Sequence, residues 1–329
     1  MAMAVRPDAF RWSRAADSAT IAGSRPVDTP LYINPGMQAI AAAREDPRFD
    51  RIAQTPQALW FGDWSAKTVR DDIGKYLAGA AAAHAVPSIV LYRIPQRDCG
   101  SFASGGGARD EQEYKEWIQA AAEALKGGHR EAIVILEPDA LPDLGKCEQG
   151  DRLGGMLQFA VDALSTTGAQ VYIDAGHEKN WLSPAEAAHR LAKVGVNKVA
   201  GFSLNVANFY TTQSEVEYAE RVRRELSKLG INGAHFVIDI GRNGAGGPQR
   251  DFCNPPGGLG WELHRGYSEV VIWMASCGSR VRGGDRRVRG VARLPASGPP
   301  LSRWACSESR DLSRDPPLGT YLWRGRASR

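Results

Sequence analysis

The stretch AIVILEPDAL, residues 132–141, opens as a core strand and closes on acids. Ile133, Val134, Ile135 and Leu136 are apolar and mostly β-branched, the composition of a strand covered on both faces. Glu137, Pro138 and Asp139 follow at once. A surface loop holds a carboxylate at less cost than the end of a buried strand does. The placement therefore asks for a reason.

The same design recurs along the chain. Apolar runs at 87–94, 132–138, 170–176, 199–205 and 235–241 alternate with helical patterns at about 110–126, 151–166, 184–194 and 214–229. A further strand at 30–35 and a helix near 68–84 extend the rhythm. Strands alternating with helices predict parallel βαβ units. Each run ends in polar groups: Tyr92 then Arg97 and Asp98; Glu137 and Asp139; Asp174 and His177; Asn205 and Asn208; Asp239, Arg242 and Asn243. One such ending is as consistent with a structural cap as with a site. Five in series predict the active end of a parallel α/β barrel, where the C-terminal strand ends surround the site.

Composition narrows the chemistry. The 329 residues are 43% hydrophobic and 24% charged, ordinary for a globular protein. No apolar run is long enough to span a membrane, and residues 1–28 have no apolar core of the signal-peptide kind. The glycine cluster SGGGARD, 104–110, lacks the lysine of a phosphate loop and the spacing of a dinucleotide site. Five cysteines, none at CxxC spacing, and a single candidate histidine, His177, give no metal constellation. No nucleophile elbow is present. The remaining set is rich in carboxylates (Asp98, Glu137, Asp139, Asp174, Asp239), with hydrogen-bonders Ser104, Asn205 and Asn208 and aromatics Trp60, Trp181 and Phe252. Paired carboxylates beside aromatic platforms fit glycoside hydrolysis. Plain core packing is the competing account of either tryptophan alone.

Six segments in order carry a family resemblance: LYRIPQRDCGSFASGG (91–106), ILEPDAL (135–141), YIDAGH (172–177), GFSLNVANFY (201–210), VIDIGRNG (237–244) and FCNPPG (252–257). Together they resemble glycoside hydrolase family 6, the cellulases, in an actinobacterial form, over about residues 30–260. The resemblance implies a distorted β/α barrel and inverting hydrolysis of β-1,4-glucan. It implies Asp139 as the catalytic acid and Asp98 as the carboxylate that raises its pKa and helps activate water. Tyr92 would flank the scissile sugar, and Ser104 would lie on a loop over it. Trp60, Asp174, His177, Trp181, Asn205, Asn208, Arg242 and Phe252 would bind or support the glucosyl units. Cys99 and Cys147 fall at the positions of a family disulfide, which implies export despite the N-terminal sequence. No cofactor, nucleic acid or membrane partner is expected, and a monomer is. Short connections lean towards endo action.

Two positions depart from the pattern. Trp181 comes one residue later than the family's aromatic, and Phe252 stands where a tryptophan is common. The larger departure is residues 261–329, with 13 Arg, no Lys and a net charge of +7 against −3 for the rest. The family's lysine, acids and cysteine do not appear there. Such Arg, Gly and Pro content is expected of a GC-rich gene read out of frame, and the last strands of the barrel are expected to be missing. Hydrolysis without that segment's acid is expected to be weak. The alternatives are a glucan-binding protein without turnover, and a basic tail that binds nucleic acid.

Overall fold

The computed structural model describes residues 29–62, 65–97, 107–127, 131–146, 151–178, 181–241, 243 and 270–272. Seven strands form one parallel sheet in chain order: β1 (Leu59–Phe61), β2 (Ser88–Leu91), β3 (Ile133–Leu136), β4 (Gln170–Asp174), β5 (Gly201–Leu204), β6 (His235–Asp239) and β7 (Val270–Ile272). The helices between them are α3 (Ala66–Ala82), α4 (Glu111–Leu125), α5 (Asp151–Ser165), α6 (Pro184–Val194) and α7 (Thr212–Lys228), preceded by short α1 (Gln38–Glu45) and α2 (Asp50–Ala53).

Local sequence explains the helix starts. Ser65, Asp110, Ser183 and Thr211 each accept a hydrogen bond from the backbone N–H three residues on. Asp110 and Ser183 are followed at that third position by Glu113 and Glu186, as in a capping box. Pro184 stands at the first turn of α6, and Gly195 ends that helix in the left-handed region.

Strand alternation sorts the core into two layers. Ile89, Leu91, Val134, Leu136, Val171, Ile173, Phe202, Leu204, Phe236 and Ile238 face the helices in a large outer core. Val90, Tyr92, Ile133, Ile135, Tyr172 and Val237 form a second, inner cluster, with Trp60 packed against it. A sheet with apolar side chains from β1 to β4 and from β6 gathered on its other face is a rolled sheet, the wall of a barrel. Continuing each strand by parity brings Tyr92, Asp174, Ser203 and Asp239 to this inner side at the C-terminal end.

The stretch 30–35, expected to be a strand, contributes only an isolated parallel bridge between Leu31 and Val86. Prolines at 30 and 35 remove backbone donors at both ends of that stretch. β1, three residues long, carries the sheet edge instead. At the other edge β7 pairs with β6 through Asp239↔Ile272, in a region where the sequence reading expects strands to be lost. Among the described residues β7 does not pair with β1.

Gly201 opens β5 at φ +154° opposite His235, and a Cβ there would overlap the His235 carbonyl. Gly201→Ala should therefore lower stability by about 3 kcal/mol through strain and overpacking. The check is a urea unfolding curve with a lower midpoint and an unchanged slope.

Candidate active site

The exits of the strands are tied by buried acids. Glu137, fully buried at the end of β3, accepts hydrogen bonds from the backbone N–H groups of Arg93 and Ile94 at 3.0–3.1 Å. Those residues lie just past β2. Asp174, at the end of β4, accepts from the N–H of Asp139 (2.9 Å), the N–H of Gly176 (3.2 Å) and the hydroxyl of Ser203 (3.2 Å). Asp239, at the end of β6, accepts from the N–H groups of Ala207 and Gly241, both at 2.7 Å. Each acid thus reaches back to the exit turn of the strand before it. The turns so held contain non-glycine residues at positive φ: Glu137 (+47°), Asp139 (+69°), Asn205 (+62°) and Ala207 (+56°). Such conformations persist where surrounding contacts fix them.

Asp139 is half-buried at the β3 exit, its own N–H held by Asp174. In strand order it lies between two aromatic groups. On one side Trp60 meets Tyr92 edge to face at 5.5 Å, and the Arg97 guanidinium lies 4.5 Å from the Tyr92 ring centre while donating to the Tyr92 carbonyl. On the other side His177 is flanked by Trp181 (4.8 Å) and Tyr210 (4.5 Å), with the Lys146 ammonium 5.4 Å from the Trp181 ring. Gly176 permits this packing, because a Cβ there would press on Pro142 and Trp181.

Asn205 is fully buried, and its amide bonds the backbone of Tyr210 at both N and O and the carbonyl of Asp239. Asn208 is nearly buried, with its amide donating to the Val206 carbonyl. Tyr210 and Arg97 were not singled out for this packing by sequence reasoning. Their signal was weak, an aromatic five residues beyond Asn205 and an arginine beside Asp98. Asp98, Ser104, Arg242, Phe252, Cys99 and Cys147 lie outside the described residues. No group of three or more His, Cys, Asp or Glu placed to hold a metal occurs among the described residues, and no helix among them is long and apolar enough to cross a membrane.

The sequence profile of glycosyl hydrolases family 6 matches residues 29–275. The chain belongs to this family. Its fold is accordingly the family's distorted α/β barrel. Among family 6 proteins it is 41% identical to endoglucanase A of Cellulomonas fimi, over 69% of this chain and 49% of that protein. It is 38% identical to endoglucanase A of Thermobispora bispora, over 70% and 52%. The chain thus spans about half the length of these two relatives. The structure of the family 6 endoglucanase Cel6 from Mycobacterium tuberculosis, in complex with methyl-cellobiosyl-4-deoxy-4-thio-β-D-cellobioside, superposes with a TM-score of 0.69. It shares 36% identity, over 77% of this chain and 89% of that one.

Burial leaves its mark on proton affinities. It pushes Glu137 up to about 7, against the backbone donors that favour the anion. It pushes Asp174 up to about 7, helped by the nearby Asp239. Glu215, buried on α7, rises to about 8, chiefly by desolvation. His177 falls to about 4 through burial, with Lys146 adding to the shift. In the folded protein these three carboxyls keep protons that the unfolded chain releases near pH 4, so stability falls as pH rises from there towards 8. His177 opposes this, because the folded state resists the proton that the unfolded chain binds below 6.5. Three carboxyls against one imidazole predict a net decline in stability from about pH 4 to about pH 8. Urea midpoints measured across that range check it, and Glu215→Gln should flatten the decline.

Proposed function

We propose that the chain hydrolyses β-1,4-glucosidic bonds in cellulose or a related β-glucan, with inversion at the anomeric carbon and endo rather than exo action. The observation that carries this reading is the setting of Asp139. It is a partly exposed acid at a strand exit, its backbone held by buried Asp174, between two aromatic groups in strand order. Family membership and the two relatives named endoglucanase support the substrate class and the endo mode.

In this reading Asp139 is the general acid that protonates the glycosidic oxygen as the bond breaks. Water attacks the anomeric carbon from the opposite face, and a second carboxylate accepts its proton. Asp98, next to Arg97, is our candidate for managing that water with Ser104. Tyr92 flanks the reacting sugar. Trp60, His177 and Trp181 offer ring faces to the apolar faces of glucosyl units, and Arg242 and Phe252 extend the binding surface. Asp174, Asn205 and Asn208 act from behind by fixing the turns that carry these groups. The catalytic unit is residues 30–260, working as a monomer, with Cys99 and Cys147 paired and the protein exported. The family profile runs to residue 275 and β7 joins the sheet, so of the segment from 261 we read the Arg-rich part beyond 275 as an out-of-frame product, which lacks the acid the family would supply and weakens turnover. An intact reading frame, with no family-like C-terminus in either other frame, would remove that explanation.

Reducing-sugar release from carboxymethyl cellulose tests the function. Asp139→Asn should lower the rate by about 10²–10⁴-fold while leaving oligosaccharide binding in place. A chain repaired with a family-type C-terminus should exceed the present one. Binding of β-glucan with no release by either version would favour a binding protein without turnover, and absence of both would end the glucan reading.

A further inference from the structure

The aromatic group around His177 depends on a helix that does not itself enter the site. α7 buries Thr212, Glu215, Tyr218, Ala219, Val222 and Leu226 along one face. Two of these, one helical turn apart, are polar at the tip and reach the same segment of chain. The Glu215 Oε1 accepts the N–H of Glu178 at 3.1 Å, and the Tyr218 hydroxyl donates to the carbonyl of Leu182 at 3.0 Å. The two contacts bracket Trp181. Immediately outside them stand His177, tilted against the Trp181 ring at 4.8 Å, and Ser183, the cap of α6.

An acid is an unexpected residue on the buried face of a helix. Glu215 is 0% exposed, and its Oε2 has no hydrogen-bond partner among the described residues. A charged carboxylate with one oxygen unpartnered is the costly form at such a place, and a neutral carboxyl is not. Asp174 and Glu178 lie near enough to disfavour a charge on it further. A leucine would fill the volume but remove the oxygen that the Glu178 N–H bonds.

We propose that Glu215 and Tyr218 are positioning residues that clamp the two ends of the segment carrying Trp181 and so set the affinity of that ring for a sugar. The affinity part rests on the glucan reading above; the clamp itself does not. Glu215 acts through its carbonyl-like oxygen in the neutral form, so a glutamine can replace it and an alanine cannot. Tyr218 acts through its hydroxyl, so phenylalanine removes the contact while keeping the core filled.

Two measurements on the full chain test this. The first is amide hydrogen exchange over residues 175–183, which needs no substrate. Glu215→Ala should speed exchange at the Glu178 amide roughly tenfold, while Glu215→Gln leaves it near the parent rate. The second is turnover and binding of a β-1,4-linked glucose tetramer. Glu215→Ala and Tyr218→Phe should each raise KM by roughly five- to tenfold with little change in kcat, and Glu215→Gln should not. In a Trp181→Ala background the same changes should have almost no further effect, because the ring they position is gone. Unchanged exchange in Glu215→Ala, a glutamine variant as impaired as the alanine one, or a KM effect that persists without Trp181 would each overturn the clamp. Should Glu215→Ala not fold, Tyr218→Phe carries the same KM comparison. Failure of the glucan reading looks different: the unmodified chain would neither bind nor cleave the tetramer, and the exchange experiment would still decide whether the clamp exists.

Discussion

The mouth of this barrel depends on a buried carboxyl bonding to backbone N–H groups across a strand boundary. Where parallel strands end, the ladder ends too, and the next N–H groups lose their partners while still inside the protein. Glu137, Asp174 and Asp239 meet that demand in sequence around the sheet, each from one strand onto the exit of its predecessor. An acid suits the task because two oxygens serve two or three donors at once. Asp174 gathers donors from three neighbouring strands, the backbone N–H groups at the exits of β3 and β4 and the Ser203 hydroxyl within β5. The strained turns at Asp139 and Ala207 follow from these bonds, and the direction of the Asp139 side chain follows from its turn.

The repeat of strand and helix was legible because each element obeys its local rule. Strands 133–136, 170–174, 201–204 and 235–239 and helix 184–194 fall inside or on their expected bounds. β1 was not legible, being three residues long with no alternation to read. Polar strand ends were legible as a set, but not their division of labour. An acid that stitches backbone and an acid that faces a ligand look alike in one dimension. Glu137 and Arg93 are 44 residues apart in the chain, and Asp174 and Asp139 are 35 apart. Only folding shows that Asp174 supports Asp139. Tyr210, Glu215 and Tyr218 escaped notice for the same reason, since each reads as ordinary helix or aromatic core until its partner is seen.

The two aromatic groups are fixed by different means. Trp60 and Tyr92 stand on the inner barrel wall, with Arg97 pressed onto the Tyr92 ring and no room beside it, since a Cβ on Gly62 would meet the Arg97 guanidinium and the Tyr92 carbonyl. Strands hold that side. His177 and Trp181 stand on a connection, and helix α7 and the Gly176 turn hold that side. Sites built on strands keep their geometry more tightly than sites on connections. In the proposed glucanase reading, the first group would suit the place where a reacting sugar must not move, and the second a ring that grips a neighbouring unit.

Protonation of the stitching acids also bears on what Asp139 experiences. Glu137 and Asp174 keep protons up to about pH 7, so at mildly acid pH they stitch as neutral groups. Asp174 bonds the Asp139 backbone, so its ionisation places a negative charge against the Asp139 N–H. The like charge of nearby Asp239 favours retention of a proton on Asp174. The scaffold and the acid it carries are thus electrically linked as well as hydrogen-bonded. A change at Asp174 that kept its acceptors but removed its charge, such as Asp174→Asn, would separate the two links. It would leave an acceptor oxygen for the Asp139 N–H and take away the field that changes with pH.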